Sequence, residues 1–318
     1  MKKITVLIPA YNESASLPRL AAALSPLIDN KMTDTPYEWE ILIVNDGSRD
    51  NTLAIIKELH EADPRYQYLN LSRNFGKENA MLAGLDYASG NAVVIMDADM
   101  QHPVDVIPLM IEQWEQGYDD VYGRRSSRGK ESIARRQLTK LFYRMLQKST
   151  RIDILPNVGD FRLLDRKCIN ALRQLRETQR YSKGLFSWIG FSKKEIMFEQ
   201  GSRTEGKSSF NFLSLLNLAI EGITCFTTAP LRFASVVGIL TALCAIVYLI
   251  YVFVRTLLYG DPVAGYPTIM CVMLFLGGCQ LIALGIIGEY ISRIFYEAKR
   301  RPVYIVESFS GDDGGHEE

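Results

Sequence analysis

Two stretches in the C-terminal third leave this chain little freedom. Residues 233–254 are 22 in a row without a charge, and residues 269–288 are 20 whose only strongly polar member is Gln280. A hydrocarbon layer about 30 Å thick is crossed by about 20 apolar residues, provided the backbone satisfies its own hydrogen bonds as a helix does. Both runs meet that length, and buried helices of soluble proteins rarely go so far without a charge. The sequence therefore predicts two transmembrane helices. Arg203, Lys207 and Arg232 precede the first run, and Arg293, Lys299, Arg300 and Arg301 follow the second, whereas the connecting residues 255–267 hold one Arg and one Asp. By the positive-inside rule both flanks, and the polar part that precedes them, are expected in the cytoplasm.

The rest of the composition narrows the class further. Lys plus Arg and Asp plus Glu are 36 each in 318 residues, so no global charge calls for nucleic acid. Cys168, Cys225, Cys244, Cys271 and Cys279 form no CxxC pair, and three of them fall inside the apolar runs. Neither a disulfide framework nor a zinc site is expected, which suits a reducing compartment. The opening MKKITVLIPAYNE lacks the apolar core and cleavage site of a secretory signal.

From the N-terminus, short apolar runs at 4–8, 41–44 and 68–71 alternate with helical patterns at 16–28, 50–62 and 77–88. That alternation implies βαβ units and a mostly parallel sheet. The next run, VVIMDADMQHP at 93–103, reads as a buried strand stopping at two carboxylates one residue apart. If strand geometry continues through them, Asp97 and Asp99 point the same way and converge. Convergent carboxylates repel unless a cation or proton lies between them, and a hard divalent ion takes such oxygens together with substrate phosphates. A polar turn after a strand is the plainer reading, and a bare DxD does not choose between them. In parallel sheets ligands bind beyond the carboxyl ends of the strands. Three such ends here carry polar groups: Pro9 to Glu13, Asn45 to Ser48, and Asp97 to Asp99.

IPAYNE, VNDGSRDNT, LSRNFGKENAMLAGLDYASG and MDADMQHP, in that order and spacing, resemble glycosyltransferase family 2 with the GT-A fold. Within it the likeness is to polyprenyl-phosphate glycosyltransferases, the group of dolichyl-phosphate mannose synthases and bactoprenol glucosyltransferases. VGDFRLLDR, LFSWIG, AIEGIT, FLGG and GEYISR extend it over essentially the whole chain. The resemblance implies an α/β, Rossmann-like cytoplasmic domain over 1–209, an amphipathic juxtamembrane helix over 210–231, a two-helix transmembrane hairpin over 232–292 and a cytoplasmic tail over 293–318. The expected location is a bacterial inner membrane, with the hairpin placing the cleft at the headgroup layer. A strand at VYIVE, after Pro302, is expected to pair with a sheet edge, of this or a neighbouring subunit. The acidic, Gly-rich end is expected to be disordered.

By the same resemblance, Pro9, Tyr11, Glu13 and Asp46 hold the uracil and ribose of a nucleotide-sugar, with Asp97, Ala98 and Asp99 continuing that site. Plainer readings are that Pro9 ends a strand, Tyr11 packs, and Asp46 caps the following helix. Asp97, Asp99 and Gln101 would hold Mg2+ or Mn2+, with Asp99 the direct ligand; His102 reads as a hydrogen-bonding neighbour. The loop GRRSSRGKESIARR carries Arg124, Arg125, Arg128, Lys130, Arg135 and Arg136. Such a cluster is a solvated surface, a contact for acidic headgroups, or a bidentate clamp on the acceptor phosphate; Arg135 leads that last reading and Arg124 is the other candidate. Asp160 falls near the reaction centre, either orienting a substrate or acting as a base. Arg203 and Lys207, in RTEGKS, are expected on a closing loop that engages a phosphate and excludes water.

Taken together, the resemblance implies one reaction, inverting transfer of a sugar from a UDP-sugar to polyprenyl phosphate, with Asp99, Asp160 and Arg135 as its catalytic residues. UDP-glucose is the leading donor; N-acetylhexosamines, galactose and aminoarabinose derivatives are alternatives. A tetramer is suggested by relatives of this kind. A processive polysaccharide synthase would carry QxxRW, but Trp39, Trp114 and Trp188 follow Glu, Gln and Ser. A non-catalytic scaffold predicts lost carboxylates, and Asp46, Asp97 and Asp99 are all present.

Overall fold

The computed structural model describes residues 1–125, 158–178, 180–199, 229–259 and 265–311. Within it the chain separates into two compact units, 1–215 with 302–318 and 216–301.

The first unit is built on an eight-stranded sheet. Its elements are β1 (Lys3–Ala10), α1 (Leu17–Ile28), β2 (Glu38–Asn45), α2 (Thr52–Ala62), β3 (Tyr66–Leu71), α3 (Lys77–Tyr87), β4 (Ala92–Ile95), α4 (Val106–Glu115), β5 (Asp120–Arg125), β6 (Val158–Asp165), α5 (Arg166–Gln174), α6 (Ser182–Trp188), β7 (Lys193–Phe198) and β8 (Val306–Phe309). Their order across the sheet is β7-β5-β6-β4-β1-β2-β3-β8, with β6 and β8 running against the rest. The expected parallel core is therefore present in β4-β1-β2-β3. Helices cover both faces, so β1 and β2 are apolar along nearly their whole length rather than alternating. One face packs Ile4, Val6 and Ile8 against Leu20, Leu24 and Leu27 of α1. On the other, α3 lies so close that a Cβ on Gly84 would stand 2.0 Å from Leu7 Cδ1.

Two expectations are corrected. β4 ends at Ile95, so Asp97 and Asp99 are not on a strand. The last bond to β1 is Met96 N–H to the Leu7 carbonyl (3.1 Å), after which the chain turns through Met100 at φ 63°. The C-terminal strand, β8, starts three residues later than VYIVE and shares Val306 and Glu307 with it; the expected edge partner is β3 of the same chain, antiparallel, with Leu69 opposite Phe309. Tyr304 donates to Asp86 (2.6 Å) and Asn70 Nδ2 to Glu307 (2.8 Å), which holds this returning segment on the first unit.

The second unit contains α7 (Ala229–Tyr259) and α8 (Tyr266–Ala298), 31 and 33 residues long, packed against each other. Val236, Ile239, Val247, Leu281, Ile282 and Leu284 are all more than half exposed on them. Among the described residues, Phe275–Ala298 is long and apolar enough to cross a membrane, and Phe233–Tyr248 is a shorter apolar helix. The expected juxtamembrane helix, up to residue 228, and the acidic end from 312 lie outside the described residues.

Candidate active site

β4, β1 and β2 are neighbours and parallel, so the polar residues after each come out at one edge of the sheet. After β1, Pro9 is half-buried within the strand, Tyr11 is 41% exposed and Glu13 is half-buried. The Glu13 N–H donates to Thr52 Oγ1 (2.9 Å), and its carboxylate accepts from the Ser16 hydroxyl. Burial raises the Glu13 pKa; Ser16 opposes this, and the nearby Asp99, Asp97 and Asp50 charges add to it. Glu13 thus belongs electrostatically with the aspartate pair.

After β2, Asp46 is 3% exposed and serves the backbone. Its two oxygens accept from Phe75 N–H (2.7 Å) and Gly76 N–H (2.9 Å), so it braces the loop into α3 and does not cap α2. Burial raises its pKa against the pull of those two N–H groups and of Arg73. Gly47 follows at φ +62°, and a Cβ there would meet the Arg73 carbonyl carbon at 2.3 Å. Gly47→Ala should cost at least about 1–2 kcal/mol from the left-handed backbone alone, and more from the clash. Thermal unfolding of the full-length protein in detergent checks this; an unchanged midpoint would contradict the locked loop pair.

After β4 the carboxylates sit on a tight turn. Asp97 and Asp99 are half-buried around Ala98, which is 3% exposed, and Asp99 Oδ1 accepts from Gln101 N–H (3.1 Å). The turn rests on His102, itself 3% exposed and stacked on Phe161 at 4.6 Å and 7°. His102 Nδ1 accepts the Asp97 N–H (3.0 Å), which leaves the proton on Nε2, 4.0 Å from Asp97 Oδ2. Burial lowers the His102 pKa, with Asp97 and Asp99 opposing, so the ring is neutral near pH 7.

Asp160, on β6, comes to the same place. Lys77, the first residue of α3, spans the gap: its Nζ is 2.5 Å from Asp97 Oδ1 and 2.7 Å from Asp160 Oδ2. Burial works against the ammonium, but the two carboxylates outweigh it and raise its pKa. Burial also opposes ionisation of Asp160, yet Lys77, Lys183, a hydrogen bond from Lys77 and Arg162 hold its pKa below the usual carboxylate value. Asp160 Oδ1 is buried without a hydrogen-bond partner among the described residues.

Arg124 is partly exposed and paired. On β5, its Nη1 lies 3.1 Å from Glu195 Oε2 on β7. Arg135, Arg203 and Lys207 lie outside the described residues, as do Arg128, Lys130 and Arg136.

The donor set suits a hard cation. Glu13 feels the charges of Asp97 and Asp99, and Lys77 bridges Asp97 to Asp160, whose carboxylate also feels Lys183 and Arg162, so four carboxylates share this edge with two lysines. Among the described residues no three acidic, His or Cys side chains form a closed metal cluster.

The family described as Glycosyl transferase family 2 matches residues 5–173, and the family described as GtrB C-terminal hairpin matches residues 229–294. The chain is a member of glycosyltransferase family 2. This glycosyltransferase is 44% identical over 304 residues to the Bacillus subtilis (strain 168) protein CsbB, which bears a glycosyltransferase name, covering 96% of this chain and 91% of that one. It is 41% identical over 306 residues to the bactoprenol glucosyl transferase of Shigella phage SfV, covering 96% and 98%. Among solved structures it is similar to glucosyl-3-phosphoglycerate synthase from Mycobacterium tuberculosis, with 20% identity, coverage of 70% and 76%, and a TM-score of 0.46. The mostly parallel sheet and the family agree on a GT-A-type α/β transferase, and the enzyme class follows from the family.

Proposed function

We propose that this glycosyltransferase moves a hexose, glucose first among candidates, from a UDP-sugar to polyprenyl phosphate. The observation that carries the reading is the gathering of Glu13, Asp97, Asp99 and Asp160 at the carboxyl edge of β4-β1-β2. The chain that carries them is 41% identical over 96% of its length to bactoprenol glucosyl transferases.

In this reading Pro9, Tyr11 and Glu13 border the nucleotide, while Asp46 shapes the wall by holding Phe75 and Gly76. Asp97 and Asp99, with Gln101 beside them, are the residues that would hold Mg2+ or Mn2+. A divalent ion there would neutralise charge on the departing diphosphate. The acceptor phosphomonoester is largely ionised near neutral pH, since its second pKa is about 6, so its oxygen needs little help to attack. The new bond joins that oxygen to the anomeric carbon as the bond to UDP breaks on the opposite face, which inverts the centre. The lowered pKa of Asp160 makes it a weak base, which favours the orienting role over proton abstraction. His102 keeps the Asp97 turn in place from beneath.

Membrane placement belongs to the same proposal. Large exposed aliphatic side chains along both α7 and α8 are unfavourable in water and suited to lipid, as the two expected spans require. The organisation into a catalytic domain, juxtamembrane helix, hairpin and C-terminal stretch is read in the same way, as is assembly into an oligomer.

The test is transfer by the full-length protein in detergent, scanning UDP-glucose, UDP-galactose and UDP-N-acetylhexosamines against undecaprenyl phosphate. A single β-linked hexosyl product from an α-linked donor supports the reading. Product of retained configuration would overturn the inverting mechanism.

A further inference from the structure

Lys77 is in an unusual place for a lysine. It opens α3, where the unpaired N–H groups and the helix dipole disfavour a cation. It leaves the backbone directly after Gly76, whose φ of 91° suits glycine and whose N–H is held by Asp46. The bracing of that loop therefore aims the lysine. Its ammonium has three N–H groups and donates toward Asp97 (2.5 Å) and Asp160 (2.7 Å) at once. These two carboxylates belong to different strand ends, β4 and β6, and Lys77 joins them. Its side chain is 43% exposed, against 26% for Asp97 and 12% for Asp160, so of the three it has the most open space around it.

A divalent ion at Asp97 and Asp99 and the Lys77 ammonium would both use the Asp97 carboxylate. We propose that Lys77 is a built-in counter-cation that competes with the divalent ion for Asp97 and is left to Asp160 alone once that ion binds. Metal binding and the placement of Asp160 are thereby linked, and linkage is reciprocal. Without the metal, Lys77 offsets repulsion in the acidic cluster and keeps the site assembled. With the metal, it stays on Asp160 as a positioning residue. The inference rests on the reading of Asp97 and Asp99 as ligands of a divalent ion.

The test measures Mn2+ affinity by electron paramagnetic resonance on full-length protein in detergent with UDP present, apart from any turnover. Lys77→Met removes the competitor and should tighten Mn2+ by about five- to tenfold while transfer falls. Asp160→Asn leaves the ammonium wholly to Asp97 and should loosen Mn2+ by a similar factor. Combining them discriminates further: with Lys77→Met in place, Asp160→Asn should change the affinity by less than about twofold. Lys77→Arg, which keeps a cation, controls for folding and should stay within about twofold of the parent protein. Weaker or unchanged Mn2+ binding by a folded Lys77→Met protein would overturn the competition while leaving the metal site standing. Loosening by Asp160→Asn that persists in the double variant would overturn it too, since Asp160 would then act on the ion directly. An unsubstituted protein that binds UDP but no Mn2+ would remove the metal reading itself, a separate result.

Discussion

Asp99→Ala should leave the sheet folded and reduce lipid-linked product by at least about a hundredfold, the scale seen when a group that stabilises developing charge is lost. The turn takes one bond from this side chain, Asp99 Oδ1 accepting from Gln101 N–H (3.1 Å), and its main anchors lie elsewhere. Its entry is fixed by the Met96 N–H bond to Leu7, and its base by the Asp97 N–H bond to the stacked His102. Truncation therefore removes a carboxylate and the Gln101 N–H bond while both main anchors of the turn stay. Initial rates at saturating donor, beside a thermal unfolding curve, check both halves. A folded Asp99→Ala protein within tenfold of the parent rate would remove Asp99 from the reaction.

Asp120→Ala carries the largest expected loss of stability. Arg162 on β6 is 3% exposed and Asp120 on β5 is fully buried, with Arg162 Nη1 3.0 Å from Asp120 Oδ2. The guanidinium also donates to the Gly159 carbonyl (3.4 Å) and lies 3.8 Å over the Phe186 ring, while its Nε is buried without a hydrogen-bond partner among the described residues. Removing the carboxylate strands a buried charge, which costs about 3–5 kcal/mol. Replacing both partners by apolar residues should recover much of that, because the desolvation penalty goes with the charges. Chemical unfolding of full-length Asp120→Ala and of Asp120→Leu with Arg162→Met checks the pair. A single variant within about 1 kcal/mol of the parent, the range of an exposed ion pair, would contradict the buried reading. Arg162 shares a face of β6 with Asp160 two residues away, so this pair also steadies the ground under the reaction centre.

What could be read from the sequence follows from how local its causes are. The strand and helix alternation over the first hundred residues is set by apolar runs and their period, so the parallel core is legible in the sequence. Asp46, Asp97 and Asp99 were visible because strand ends bear ligands in such sheets. Their roles were less so. Asp46 spends both oxygens on backbone 29 and 30 residues away, which no local pattern announces. The aspartate pair lies beyond the strand, on a turn held by a left-handed Met100 and a buried histidine. His102 depends on Phe161, Arg124 on Glu195 71 residues on, and β8 on β3 across more than 230 residues, all long-range facts. Lys77 left a trace that sequence reading passed over: a lysine just after a glycine, at a helix start where the dipole disfavours it, is a cost that asks for a reason. For α7 and α8 the reverse holds, since the uncharged runs 233–254 and 269–288 mark their interiors, though not their ends.

The central claim is tested most directly by incubating the full-length protein with radiolabelled UDP-glucose, undecaprenyl phosphate and Mg2+ or Mn2+, then measuring label in the organic phase. The account predicts an acid-labile lipid-linked hexose that needs the divalent ion and disappears with Asp99→Ala. Protein that is folded and binds UDP, yet transfers no sugar to undecaprenyl phosphate from any UDP-sugar, would contradict it.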